Sequence, residues 1–262
     1  MAASVLTGKT ALVTGASSGL GVDFARELAR LGCRLVLVAR REDALKKLQA
    51  ELKAAGTEAI VVPADLSAPD APQQLFDELK RRNEPVDVLI NNAGFGAYGL
   101  ELDIPWDKTR QMLMVDIVAL THMTKLFARE MAKRKFGYIL QVASIGAYQP
   151  SPTYAAYSAA KSYVLSFGEA LNYELRGSGV SCTVVSPGVT ETEFLQVAGQ
   201  KRNWFHNSTM MSSAAVAAIG VRAMLKRRSS IVTGFMNALT AFSTRFMPRE
   251  WLAAFTYRLM RN

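Results

Sequence analysis

The 262 residues are 50% apolar, 9% aromatic and 20% charged, which excludes a disordered chain and supports a sizeable core. Cys33 and Cys182 are the two cysteines, and each precedes a β-branched or leucine-rich run. They exclude a disulfide scaffold and a multi-cysteine zinc site, and point to buried, reduced thiols in a cytoplasmic protein. The net charge of +9 favours an anionic partner: a phosphorylated cofactor, an acidic membrane surface or nucleic acid. No basic stripe with interleaved aromatics is present, which argues against nucleic acid.

Residues 1–10 lead straight into a strand-like run, so no signal peptide is read there. No uncharged apolar stretch reaches the length of a membrane span, and a soluble protein is expected. Strands are predicted at Thr10–Thr14, Arg34–Ala39, Ala59–Ala64, Val86–Asn91, Gly137–Val142, Ser181–Ser186 and Ser230–Thr233. Amphipathic helices are predicted between them at Val22–Leu31, Asp43–Ala55, Ala71–Arg82, Trp106–Arg134 and Tyr154–Arg176. The strands are continuously apolar rather than alternating, as in a parallel sheet covered on both faces. The pattern therefore predicts an α/β fold: one doubly wound, seven-stranded parallel sheet with helices on both faces. No repeat or linker marks a boundary, so residues 1–262 read as one domain. The segment 190–212 and the tail 235–262 break the rhythm.

The first predicted strand ends in Thr14-Gly15-Ala16-Ser17-Ser18-Gly19-Leu20-Gly21, and a helical pattern follows at once. Glycines at this spacing allow a tight turn and close approach of the backbone to a pyrophosphate, which the helix N-terminus then attracts. Three glycines alone fit an ordinary strand-to-helix turn; the second strand at Arg34–Ala39 favours a dinucleotide site. That strand ends in Ala39-Arg40-Arg41, with no carboxylate before Glu42. An acidic residue there would bind ribose hydroxyls, whereas Arg40 can pair with a ribose 2′-phosphate and stack on adenine, which favours NADP(H). The bland alternative is a solvated arginine at a helix start. Further on, Tyr157 and Lys161 stand four residues apart on one helix face. Lys161 near the phenol would favour its ionised form and make Tyr157 a usable acid or base. Ser144 follows the fifth strand, at the sheet edge where active groups collect.

With these motifs the chain resembles the short-chain dehydrogenase/reductase family over roughly residues 7 to 234. Asp65-Leu66, Asn91-Asn92-Ala93-Gly94 and Pro187-Gly188-Val189-Thr190-Glu191-Thr192 match further family segments. The resemblance implies a Rossmann fold and a nicotinamide cofactor held by Gly15, Ser17, Ser18, Gly19, Leu20, Gly21, Arg40, Asp65, Leu66, Asn92, Thr190 and Thr192. It implies that Tyr157 protonates a carbonyl oxygen or deprotonates an alcohol, and that Ser144 holds that oxygen. Lys161 would bind the nicotinamide ribose and tune Tyr157, and no metal is implied. A homodimer or homotetramer through the long helices is implied as well. One departure stands out. The family usually has Val-Asn in the helix after the fourth strand, with a backbone carbonyl there binding a water that links the lysine to solvent; this chain has Val115-Asp116. An aspartate accepts hydrogen bonds but donates only when protonated. Asp116 either replaces the amide at small cost or alters the proton supply.

The region 190–212 brings Phe194, Leu195, Trp204, Phe205, Met210 and Met211 near the expected nicotinamide, with Phe95, Tyr98, Tyr148 and Tyr154 as a facing wall. This suits a lipophilic carbonyl or alcohol, although such side chains also serve to close a core. Lys201 and Arg202 could receive an anionic substrate end, and His206 reads as a loop residue. In the tail, Trp251, Leu252, Phe255 and Leu259 share one helix face, with Arg249, Arg258 and Arg261 nearby. Such a helix packs within the protein or its oligomer, or lies at an anionic membrane surface. An NADP(H)-dependent oxidoreductase is thus the first expectation. A dinucleotide-binding regulatory or structural protein with little turnover is the alternative.

Overall fold

The computed structural model describes residues 4–191, 194–200 and 210–260. The chain alternates β1 Thr10–Thr14, α1 Gly19–Arg30, β2 Arg34–Ala39, α2 Glu42–Ala54, β3 Ala59–Pro63, α3 Ala71–Arg81 and β4 Val88–Asn91. Then come α4 Trp106–Leu113, a π-helical turn at Met114–Ala119, α5 Leu120–Lys133, β5 Gly137–Val142, α6 Ala155–Glu174 and β6 Val180–Ser186. The remainder is β7 Thr190–Glu191, α7 Phe194–Ala198, β8 Met211–Ser212, α8 Ser213–Leu225, β9 Ser230–Val232, α9 Phe235–Ser243 and α10 Arg249–Met260.

Seven strands form one parallel sheet, as the apolar runs predict, and their order is β3-β2-β1-β4-β5-β6-β9. Alternation within each run then assigns the faces. Ala11, Val13, Leu35 and Leu37 turn to one side and pack with Phe24, Leu28, Leu45 and Met224 of α1, α2 and α8. Leu12, Val36, Val38 and Leu89 turn to the other and pack with Leu75, Leu79, Phe127 and Met131 of α3 and α5. Each fully buried leucine or phenylalanine of this kind contributes about 1.5–3 kcal/mol. The order reverses between the paired strands β1 and β4, and their outgoing connections run to opposite faces of the sheet, leaving a crevice at the carboxyl ends.

The predicted Trp106–Arg134 helix is interrupted. The π-helical turn at Met114–Ala119 divides it into α4 and α5 and points Asp116 inward. Apolar periodicity continues through a one-residue bulge, so the pattern does not reveal it. Region 190–212 holds structure without a periodic signal: β7 and β8 pair in parallel, Thr190 with Met211 and Glu191 with Ser212. Small end shifts are the other differences: β3 stops at Pro63, β4 starts at Val88, β6 at Val180, β9 ends at Val232, α1 runs Gly19–Arg30, α2 Glu42–Ala54, α3 ends at Arg81, and α6 runs Ala155–Glu174.

Below the crevice lies a buried polar cluster. Asn91 donates through Nδ2 to Thr124 Oγ1 (2.9 Å) and Gln141 Oε1 (3.0 Å), while Gln141 Nε2 donates to Thr124 Oγ1 (2.8 Å). Thr124→Val keeps the volume but removes the acceptor that both amides share. It should lower unfolding stability in urea by about 1–3 kcal/mol.

Candidate active site

A cavity of about 890 Å³ runs along the carboxyl edge of the sheet, from the β1 and β2 ends to the C-terminal helices. At one end, Gly15, Ser17, Ser18, Gly19 and Leu20 line it, at the turn between β1 and α1. Gly15 and Gly19 take positive φ of 67° and 54°, the left-handed region that glycine occupies at no steric cost. Gly21 does not line the cavity; a Cβ there would collide with the Gly15 carbonyl oxygen, so this position lets α1 start against the strand. Thr14 ties the turn to β4, accepting through Oγ1 from Asn92 N (3.0 Å) and Ala93 N (2.9 Å). Asn92, also on the cavity, spends its side-chain amide on the Thr14 carbonyl (2.9 Å).

At the β2 end, Arg40 and Arg41 are exposed on the cavity. Arg41 was not singled out by the sequence, and its guanidinium reaches Ser17 Oγ at 3.4 Å. Asp65 and buried Leu66 line the cavity opposite. Asp65 accepts from Ser67 N (3.0 Å) and Ser67 Oγ (2.8 Å). Its carboxyl lies below the usual range: burial opposes this, but the Ser67 bonds and the charge of Arg40 outweigh it.

Ser144, Tyr157 and Lys161 converge at the middle of the cavity. Ser144 caps a short 3-10 turn, accepting from Gly146 N at 3.1 Å. The Ser144 side chain, beside the Tyr157 phenol, favours the phenol's ionised form. Its ring is enclosed by Tyr154 and Phe194, with centroids 5.7 and 5.3 Å away, and the Lys161 ammonium stands 5.7 Å from the ring centre. Lys161 Nζ also donates to the Val142 carbonyl (3.1 Å) and lies 2.6 Å from Asp116 Oδ1. Asp116 is wholly buried and accepts from Phe95 N at 3.2 Å. Gly94 makes the pair possible, since a Cβ there would stand 2.6 Å from Asp116 Oδ1 and 3.1 Å from Lys161 Nζ.

This geometry corrects the expectation that Lys161 lowers the Tyr157 pKa. Burial raises the phenol above its ordinary value, and the negative Asp116 raises it further. Burial likewise raises the Asp116 carboxyl, with Lys161 opposing. The lysine is engaged by a carboxylate that an asparagine would not supply.

The far end is apolar. Phe95, Tyr154, Phe194, Val197, Leu252 and Phe255 line it. Tyr98 and Tyr148, expected on this wall, do not: Tyr98 supports Tyr154 from behind, with ring centroids 5.4 Å apart. The sequence did not assign α10 to the cavity. Tyr98 Oη and Gln200 Nε2 both donate to the Met260 carbonyl (3.2 and 3.0 Å), and Tyr154 Oη donates to Gln200 Oε1 (2.9 Å). These bonds hold the helix over the site. Thr190 lines the cavity near Gly188. Thr192, Lys201, Arg202, Trp204, Phe205 and His206 lie outside the described residues, as does Arg261.

Comparison with known proteins gives this arrangement its family. Residues 9–203 match the short chain dehydrogenase model. The chain belongs to the short-chain dehydrogenase/reductase family of oxidoreductases. It is 37% identical over 193 residues to a short chain dehydrogenase of Pseudocercospora fijiensis, covering 72% of this chain and 62% of that one. It is 32% identical to the ketoacyl reductase HetN of Nostoc sp., over 93% of this chain and 84% of the relative. Among solved structures, a Sphingobium yanoikuyae short-chain dehydrogenase in complex with NADPH superposes with a TM-score of 0.81 at 28% identity, covering 91% and 94% of the two chains. A Burkholderia phymatum family member in complex with NAD gives 0.82 at 28%, covering 92% and 94%.

Removing the Asp116 charge removes one of the two causes that raise the Tyr157 phenol. In Asp116→Asn, the phenol should therefore ionise at lower pH. Ultraviolet difference titration against the Tyr157→Phe protein reads the shift, and an unchanged or raised midpoint would contradict the arrangement.

Proposed function

We propose that this chain is an NADP(H)-dependent oxidoreductase moving a hydride between the nicotinamide and a hydrophobic carbonyl or secondary alcohol, with Tyr157 as general acid and base. What carries the reading is the convergence of Ser144, Tyr157 and Lys161 on one cavity, midway between a cationic end and an apolar end. The ketoacyl reductase relative supports a carbonyl substrate.

The residues at the cationic end suit a dinucleotide. The turn at Gly15, Ser17, Ser18, Gly19 and Leu20, packed closely through Gly21, suits a pyrophosphate at the start of α1. Arg40 suits the ribose 2′-phosphate, Asp65 and Leu66 the adenine, and Asn92, Thr190 and Thr192 the nicotinamide side. When bound, the nicotinamide supplies or accepts the hydride. Ser144 holds the substrate oxygen by hydrogen bonding. Tyr157 gives that oxygen its proton in reduction and takes it back in oxidation, and a phenol raised by burial holds the proton at neutral pH, ready for the reducing direction. Lys161 binds the nicotinamide ribose, for which its ammonium turns from, or is shared with, Asp116. The substrate end is assigned to region 190–212 and the tail 235–262, of which Phe194, Val197, Leu252 and Phe255 line the cavity.

A second reading keeps the dinucleotide and gives up most turnover: a regulatory or structural binding protein. The Asp116–Lys161 pair favours it, because it diverts the lysine from the phenol. In either reading the chain assembles as a homodimer or homotetramer, supported by Trp106, Val118, Tyr163 and Tyr173 exposed on the long helices. Buried, free Cys33 and Cys182 suit a reducing, cytoplasmic setting.

Titration with NADPH and NADH, followed by turnover against lipophilic ketones, tests the reading. Tyr157→Phe should lose about 10²–10⁴-fold in turnover while NADPH binding persists; binding without any turnover in the wild-type protein would favour the second reading. Arg40→Ala should weaken NADPH by roughly ten- to a hundredfold, as loss of a charged hydrogen bond does, and leave NADH nearly unchanged. Equal weakening of both would sink the 2′-phosphate assignment.

A further inference from the structure

Half of the sixteen large apolar side chains exposed among the described residues fall between Phe235 and Phe255. Phe235 is 80% exposed, Phe246 74% and Trp251 68%. On α9, Phe235, Met236, Leu239 and Phe242 fall on one helical arc, and Phe242 meets Phe246 edge-on with ring centroids 5.4 Å apart. On α10, Trp251 and Phe255 are one turn apart. Monomeric soluble proteins rarely leave so concentrated an apolar surface in water.

Two further observations say what covers it. The segment from Phe235 to Met260 carries Arg245, Arg249 and Arg258 against the single acid Glu250, all exposed, and Arg245 lies over the Phe242 ring at 5.7 Å. Cations among exposed aromatics match the phosphate and upper acyl region of an anionic bilayer. A two-fold copy would instead bring this same basic set against itself, a like-charge face that disfavours association. The cavity also opens here: Met247 and Phe255 both line it and stand exposed. No described helix is long and apolar enough to cross a membrane, so the contact lies along the surface.

We propose that the α9–α10 face docks on an anionic lipid bilayer, with the cavity mouth turned toward the lipid. Phe246 and Trp251 enter the acyl boundary while Arg245, Arg249 and Arg258 meet the phosphates. Passage of a lipophilic substrate from bilayer to Tyr157 through this mouth rests on the oxidoreductase reading; the docking does not.

Flotation of the full chain with phosphatidylglycerol-containing vesicles and with pure phosphatidylcholine vesicles, at low and high salt, tests it. Binding to the anionic vesicles alone, weakened by salt, is expected, with a blue shift of tryptophan emission that Trp251→Phe removes. Phe246→Ser with Trp251→Ser, or Arg245→Gln with Arg249→Gln, should each cut vesicle binding by about tenfold or more. Neither pair lines the cavity, so NADPH binding and circular dichroism should remain those of wild type. Absence of co-flotation at low salt overturns the proposal. So does a fall in sedimentation mass in the Phe246→Ser, Trp251→Ser protein without vesicle binding by wild type, which would assign the face to a second copy. Failure of NADPH binding with vesicle binding intact would sink the oxidoreductase reading and leave the docking standing.

Discussion

A carboxylate and an ammonium 2.6 Å apart, both nearly out of water, hold the centre of this protein together. Such a pair persists only when the surroundings satisfy what its charges lost in desolvation. Here the Phe95 amide serves the carboxylate and the Val142 carbonyl serves the ammonium. The π-helical turn brings Asp116 in, and Gly94 leaves the room. β4, β5, α6 and the α4–α5 junction are thereby fixed to one point, and the tyrosine beside it inherits its electrostatics from that point.

The rest of the cavity follows from two kinds of close approach. At one end glycines let backbone meet backbone, so α1 begins against the β1 turn and its N-terminus faces the crevice. At the other, aromatic rings and a shared carbonyl bring a helix distant in sequence over the same crevice. Cationic and apolar ends are therefore built by different means: the first by local chain geometry, the second by contacts between segments far apart in sequence.

That difference explains what the sequence makes legible. The seven strands and their parallel arrangement, though not their order, follow from continuous apolar runs, since burial on both faces leaves no polar alternation. The glycine turn, Ser144, Tyr157 and Lys161 are legible because each depends on neighbours a few residues away. The π-helical turn was hidden, because one extra residue per turn shifts the apolar stripe too little to break its pattern. Arg41, Gly94 as a cradle, and α10 as a cavity wall were hidden because each role exists only through a partner distant in the chain. The raised Tyr157 pKa is illegible for the same reason: the sequence shows a lysine nearby, while the carboxylate behind it and the burial of the ring are tertiary facts.

The short β7–β8 ladder has a consequence for how this scaffold can vary. Thr190–Glu191 beside Met211–Ser212 brings together both ends of the segment next to the cavity. Once the ends of a loop are fixed, the entropy of closing it grows only with the logarithm of its length, about 0.6 kcal/mol per doubling. Residues can be inserted or removed between Glu191 and Met211 at little cost to the sheet, whose own hydrogen bonds stay as they are. Chain length between β7 and β8 is thus cheap to change, while the turn between β1 and α1, built from contacts that admit no extra atom, is expensive to change.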